Sequence, residues 1–367
     1  MAQRTPTPSQ NLPLLGPGRP PAPIKTWAGV GAVLVVIELF FLLKWVTGPR
    51  FTPVPSGPDV PPGWMIVSLI GFQVLFTSLA VFTIHRLLVR PWTKERRVTV
   101  DGLLCVAFAL AAPWDPLSTY VSPWIQYNSY MVNFGSVVAE LPGVQTNQAA
   151  GSGNAWGFLC FGTAYVGVFP WFAIVACAGM RAVHRRHPNY GPLRMIALCY
   201  ALNLAVQVVF EGLLMMPLGL YALPGGHFPI FNVGTYAQYP INEALFGGAV
   251  FASFTALRYF LNDRGETIAE RGSSTIASRN TRIGLRALAI IGAVHVGFLL
   301  TYHLPSAVLG LSSPVWPRDT QERSYFNNHV CGPEVDRACP GPETRLTGRG
   351  DPHLNYRGQI VGAPPPG

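Results

Sequence analysis

Apolar residues in this chain come in seven long blocks separated by short polar connections. The blocks cover approximately 27–47, 64–88, 99–117, 155–180, 194–217, 240–261 and 284–304. Each is close to the ~20 residues that an α-helix needs to cross the hydrocarbon of a bilayer. The pattern predicts an all-α membrane protein, a bundle of about seven transmembrane helices with an aromatic-rich outer loop or helix. The third block is the shortest and is ended by Pro113 and Pro116, which interrupt a helical ladder. Outside the blocks, residues 1–26 read as a disordered cytoplasmic tail and 305–367 as an irregular extracytoplasmic tail, both rich in Pro and Gly. No cleavage site of small residues follows the first block, so it reads as an anchor rather than a removed signal peptide.

Composition supports the same class. Only 12% of residues are charged and 49% are hydrophobic, against about 25% charged in a soluble domain. The net charge of +9 does not point to nucleic acid, because the basic residues lie between the apolar blocks rather than on one face. Their distribution sets an orientation. The connection after the second block carries Arg86, Arg90, Lys94, Arg96 and Arg97; the one after the fourth carries Arg181, Arg185, Arg186 and Arg194. The one after the sixth carries Arg258, Arg264, Arg271, Arg279, Arg282 and Arg286. Connections 118–154 and 218–239 contain no Lys or Arg, and the first has only Arg50. The positive-inside rule then places the N-terminus in the cytoplasm and the C-terminus outside the cell membrane. On that side, the neighbouring Cys331 and Cys339 are expected to form a disulfide. The other four cysteines lie singly in apolar blocks and read as small hydrophobes.

The most unusual stretch is Pro113–Ser136, which gathers one Asp, two Asn, three Tyr and two Trp without a Lys or Arg. Ser122 before Pro123 is a helix-start signal, and Tyr127, Tyr130, Phe134 and Val137 follow at helical spacing. Two readings stay open: a membrane-interface segment with aromatics at headgroup level, or the wall of a pocket contacted through Asp115, Asn128 and Asn133.

Ionisable residues inside spans are costly and face the bundle interior, so they are the candidates for function. Asn203, Gln207 and Glu211 follow one another at steps of four, laying two amides and a carboxylate along one helix face. Asn242 and Glu243 open the sixth block after Pro240; there Glu243 could equally cap the helix. Asp115 closes the third block, where a turn role is the alternative. The orientation puts Asp115, Glu211 and Glu243 in the outer half of the bilayer, which suggests one cavity open to the outside. His227, in an outer loop, is added to that pocket. Glu38, in the first span, is expected to pair with Lys44 or a neighbouring helix, and His295 and His303 are well offset around the last span. There is no internal repeat, Gly-rich phosphate loop, Gly-x-Ser-x-Gly elbow or His-Glu-x-x-His, so an ATP-driven or hydrolase-type machine has no support.

The Trp-Asp-Pro-Leu-Ser-Thr-Tyr…Tyr-Asn-Ser-Tyr…Asn-Phe-Gly segment from Trp114, the Asn242–Glu243 pair and the multi-span layout resemble the AveC family of spirocyclases, over about residues 27 to 330. The resemblance implies an actinobacterial membrane protein associated with spiroketal formation in polyketides, acting on a lipophilic small molecule among membrane lipids. Such chemistry dehydrates a dihydroxyketone through an oxocarbenium-like cation and requires no redox cofactor or metal. Asp115, Glu211 and Glu243 are the expected proton-transfer groups. Trp124, Tyr127 and Tyr130 would offer aromatic faces to the cation, with Asn128, Asn133, Asn203, Gln207, His227 and Asn242 as polar substrate contacts. The same parts would serve a proton-initiated terpenoid cyclase. The alternative class is a proton-coupled transporter or lipid-binding module built on Glu38 and Glu211.

Overall fold

The computed structural model describes residues 22–144, 151–342, 344 and 352–362 of the chain. The N-terminal tail lies outside the described residues as far as residue 21, and residues 23–26 already belong to the first helix. The architecture is helical, with helices α1 (Pro23–Val46), α2 (Gly63–Thr83), α3 (Arg90–Lys94), α4 (Val100–Ala111), α5 (Thr163–Gly167), α6 (Phe169–Arg186), α7 (Pro192–Gln207), α8 (Ile241–Tyr259) and α9 (Arg279–Phe298), followed by the short α10 (Leu304–Leu309), α11 (Arg318–Gln321) and α12 (Ser324–Asn327). Among the described residues six helical segments are long and apolar enough to cross a membrane, and they coincide with six of the seven predicted blocks. The remaining block is α8, which reaches 19 residues but carries Asn242, Glu243 and Arg258. Its polarity is affordable because α6, α7 and α9 pack around it, leaving Glu243 and Asn242 buried.

Helices α1 and α9 lie flush, since Gly31 meets the backbone of Leu288 and a Cβ there would collide with it. The third and fourth spans are the most enclosed and form the bundle's interior. Four helical segments are π-helical: Ile84–Val89, Phe158–Gly162, Val208–Met215 and Leu299–His303. A π turn re-aims the side chains that follow it and is often found at functional positions.

The helix expected to start at Ser122 does not form. Its residues become strand β1 (Gln126–Tyr127), which pairs antiparallel with β2 (Tyr221–Ala222), and then an irregular loop. The reason is local competition for backbone groups. Asn128 donates to Gly219 O at 2.9 Å and its Oδ1 accepts from Tyr130 N. Asn133 accepts from Val54 N at 2.9 Å and donates to Ser129 O and Met131 O. Gly135 then takes a left-handed φ of +76°. The neighbouring connection adds a second ribbon, β3 (Pro229–Phe231) with β4 (Tyr239–Pro240).

The segment after residue 304 has only short elements, ending in the β5 (His353–Leu354) and β6 (Ile360–Val361) pair. It is nonetheless packed: Trp316, Tyr325, Phe326 and Val330 are buried, and Tyr325 and Phe326 belong to the main core. Asn328 donates to Gln126 Oε1 at 3.0 Å and Tyr127 O at 2.9 Å, so the C-terminal region clamps β1. A disulfide joins Cys331 to Cys339.

Candidate functional site

One cavity inside the bundle collects the unusual chemistry. It is lined by Asp115 at the end of the third span, Gln207 and Glu211 from the fifth, Glu243 from α8, and Tyr127, Tyr165, Tyr221 and Tyr302. Phe76, Phe161, Phe169, Phe172, Phe210 and Phe251 complete an aromatic wall. No Lys, Arg or His is among the lining residues. The three carboxyls that sequence pattern put at one depth thus share one space.

Local structure explains how each is aimed. Asp115 sits in the 3-10 turn Ala112–Thr119, where Pro113 and Pro116 end the α-helix and swing the carboxylate inward. Tyr127 OH donates to its Oδ2 and Tyr165 OH to its Oδ1, each at 2.7 Å. Glu211 lies within the π-helical segment Val208–Met215 and lines the same cavity as Gln207, Tyr221 and Glu243. Its Oε2 is buried without a partner. Glu243 stands in the first turn of α8, yet it does not cap the helix. Tyr302 OH donates to both of its oxygens at 3.1 Å, and Gln207 Nε2 approaches Oε1 at 3.5 Å. Gln207 is itself fixed by Gly247 of α8, where any Cβ would collide with the amide.

A carboxyl that carries its proton can donate and an ionised one only accepts, so Glu211 and Glu243, lining one cavity, can serve as acid and base toward a shared guest. The aromatic faces around it suit a transient cation, whose charge their π-systems attract.

Other candidates from the sequence are placed elsewhere. Asn128 and Asn133 direct their side chains to backbone groups of the loops they join. Trp124 is buried and donates its Nε1–H to Ser118 O at 3.0 Å. Tyr130 packs edge-on against Tyr325. Asn203 donates to Cys199 O. Asn242 Oδ1 accepts from His227 N at 2.7 Å, and the His227 ring reaches Leu309 O at 3.2 Å, which ties the loop between β2 and β3 to α10. None of these seven lines the cavity; Tyr127 and Gln207 do. The β1–β2 ribbon roofs one side of the cavity, since its Tyr127 and Tyr221 line it.

Glu38 is not joined to Lys44, which reaches Glu140 at 3.1 Å. Its partner is His295 of α9, with Nε2 at 2.8 Å from Oε1. The alignment of that approach leaves Nε2 without a well-formed hydrogen bond, so it is best described as a close ionisable pair.

Sequence reasoning passed over Tyr165, Tyr221 and Tyr302. Tyr165 falls inside the fourth block and Tyr302 near the end of the seventh. A hydroxyl in hydrocarbon must find a partner, and that requirement was the available signal.

The family model for AveC-like spirocyclases matches residues 95–326, well over half of the chain. The chain belongs to the AveC-like spirocyclase family. No curated protein and no solved structure matches it. Membership supports a cyclase-type function, and every cavity carboxyl of this AveC-like protein lies within the matched residues. α1 and α2, with Glu38, precede them.

Proposed function

We propose that this AveC-like protein is a membrane-embedded spirocyclase that closes a lipophilic, polyketide-like dihydroxyketone with loss of one water. The observation that carries the reading is the Glu211–Glu243 carboxyl pair in an aromatic cavity without a lining cation.

The chemistry follows from that pair. One substrate hydroxyl adds to the ketone, giving a hemiketal, with its proton passing to the carbonyl-derived oxygen. The protonated member of the pair then donates to the hemiketal hydroxyl, which leaves as water. The resulting oxocarbenium is held by the carboxylates and by the faces of Tyr127, Tyr165 and Phe161. The second hydroxyl adds to the cation, and its proton returns to the carboxylate, so the pair ends as it began. Asp115, held by Tyr127 and Tyr165, lines the same cavity and offers a third carboxyl to the substrate. A dehydration without ring closure would use the same first proton transfer.

The orientation proposed for the chain puts this site in the outer half of the bilayer. A cysteine at exposed Val233 is then expected to react with an impermeant maleimide in intact cells, and one at exposed Asp263 to stay unreacted; the reverse result would invert the orientation.

The reaction is tested with purified protein in nanodiscs and a nonane-derived dihydroxyketone carrying its carbonyl on the central carbon and a hydroxyl at each end. The expected product is the spiroketal of two six-membered rings, in enantiomeric excess, which uncatalysed closure cannot give. Glu211→Gln keeps the size of the side chain but removes the proton, and the rate is expected to fall roughly 10²–10⁴-fold, the usual contribution of a general acid or base. Racemic product, or a folded Glu211→Gln protein with the parent rate, would overturn the proposal.

A further inference from the structure

The cavity holds about 70 Å³, enough for a few waters. A site for a drug-sized ligand takes roughly 300–1,000 Å³. A spiroketal precursor therefore needs an opening, and the walls differ in what an opening would break. The roof is stitched by backbone and buried side-chain bonds, including β1–β2, Asn128 to Gly219 and Asn328 to Tyr127. The flank between α6 and the π-helical segment Val208–Met215 is lined by packed aromatic rings. There Phe172 and Phe210 meet edge to face, centroids 5.5 Å apart, and both line the cavity.

Phe210 has a second surface. With Val206, Val209, Leu213 and Leu214 it lines an apolar groove on the outside of the bundle, and those four neighbours are exposed, facing the lipid. A single side chain thus separates the carboxyl pair from the hydrocarbon, and the next residue in the chain is Glu211. Its segment runs on i→i+5 hydrogen bonds, as in Met216 N donating to Glu211 O, a local ladder frequently found at functional sites. Swinging one or two aromatic rings costs no hydrogen bond, whereas lifting the roof costs several.

We infer that the Phe172–Phe210 contact is a lateral gate, through which the lipophilic substrate passes from the bilayer to the carboxyl pair. The apolar chain lies in the groove along Val206–Leu214 while the oxygenated end reaches past Phe210. This rests on the spirocyclase reading for the identity of the passenger, but entry itself is measurable without turnover.

The experiment uses a Phe172→Cys, Phe210→Cys protein in nanodiscs, closed with a reducible bifunctional maleimide; the native free cysteines Cys105, Cys160, Cys177 and Cys199 are buried. A diazirine-bearing dodecanol reads entry by photolabelling peptides that contain Tyr165 or Tyr221, and the nonane-derived dihydroxyketone reads turnover. Closing the link is expected to lower both at least about tenfold relative to the same protein after reduction, as for a gate that controls access. Phe210→Ala, which needs no cross-link, is expected to label faster than the parent. Unchanged labelling in the linked protein, or in Phe210→Ala, overturns the gate. Glu211→Gln separates the two ideas: it is expected to label normally without turning over. If it turns over normally while the link still blocks labelling, the acid role fails and the gate stands.

Discussion

Two glutamates within the apolar spans, Glu38 and Glu211, have opposite surroundings. Glu38 of α1 faces His295 of α9 at 2.8 Å, at a seam where the two helices touch backbone to backbone and no room remains. With His295 Nδ1 against Ile291 O at 2.8 Å, the other ring nitrogen is the one turned to Glu38. Glu211 has no basic neighbour among the residues lining its cavity; it shares that space with Glu243 and Asp115. A carboxyl with a partner and no volume holds helices together. One with a carboxyl twin and an accessible volume can exchange its proton with a guest. A place within an apolar span does not separate the two cases; the partner and the space do.

The sharpest way to break the comparison is to neutralise one residue of each kind. Glu243→Gln is expected to reduce spiroketal formation roughly 10²–10⁴-fold while thermal unfolding in detergent stays near the parent value. Glu38→Leu is expected to do the opposite. Removing one partner of a buried pair costs about 3–5 kcal/mol, so the melting temperature should drop while the folded fraction keeps its turnover. The double substitution Glu38→Leu with His295→Leu should recover much of that loss, because two apolar groups replace two polar ones. A stable Glu38→Leu protein that has lost activity would erase the distinction.

A smaller effect sharpens the site. Tyr302→Phe removes the hydroxyl that donates to Glu243; a hydrogen bond to a charged group contributes about 1.5–3 kcal/mol. Turnover is expected to fall roughly 10–150-fold, the rate equivalent of that energy, with a shifted pH profile as the signature of altered proton affinity. A lower rate with an unmoved profile would make Tyr302 a packing residue only.

The smallest effect concerns Glu266, in the connection between α8 and α9. Burial works against its charge, but Ser273 Oγ, Asn262 Nδ2, Ser274 N and Gly272 N all donate to it and hold its carboxyl down to about 2. Because the folded value is depressed, its contribution is fully present above the ordinary carboxyl value of about 4.5 and is lost as pH falls toward about 2. Limited proteolysis of this connection is expected to increase over that interval in the parent. In Glu266→Gln it should already be raised at neutral pH and change little on acidification.

Legibility differed by residue for physical reasons. Glu211 and Glu243 announced themselves because a carboxyl in a hydrophobic run is costly wherever it points. Asn128 and Asn133 could not be sorted the same way, since an amide serves a ligand or a backbone equally well and only the neighbouring carbonyls decide. The aromatic spacing after Ser122 misled for a related reason. Periodicity measures which positions would share a helix face, and it is silent when side chains capture the backbone first. Tyr302 was missed although its hydroxyl had to be satisfied, because it lay near the end of a span where water could have served.

The sequence by itself determined the solvent. Blocks of about twenty apolar residues with so few charges belong in a bilayer, and the motif from Trp114 with the Asn242–Glu243 pair marked the family, now matched over residues 95–326. Tertiary structure decided which polar residues meet. It turned three carboxyls from three spans into one cavity, sent Glu38 to His295, and closed the site above while leaving one phenylalanine at its side. Those outcomes depend on helix rotation, π turns and long-range pairing between segments far apart in the chain. A one-dimensional pattern fixes depth in the membrane, but not the direction a side chain faces or what stands opposite.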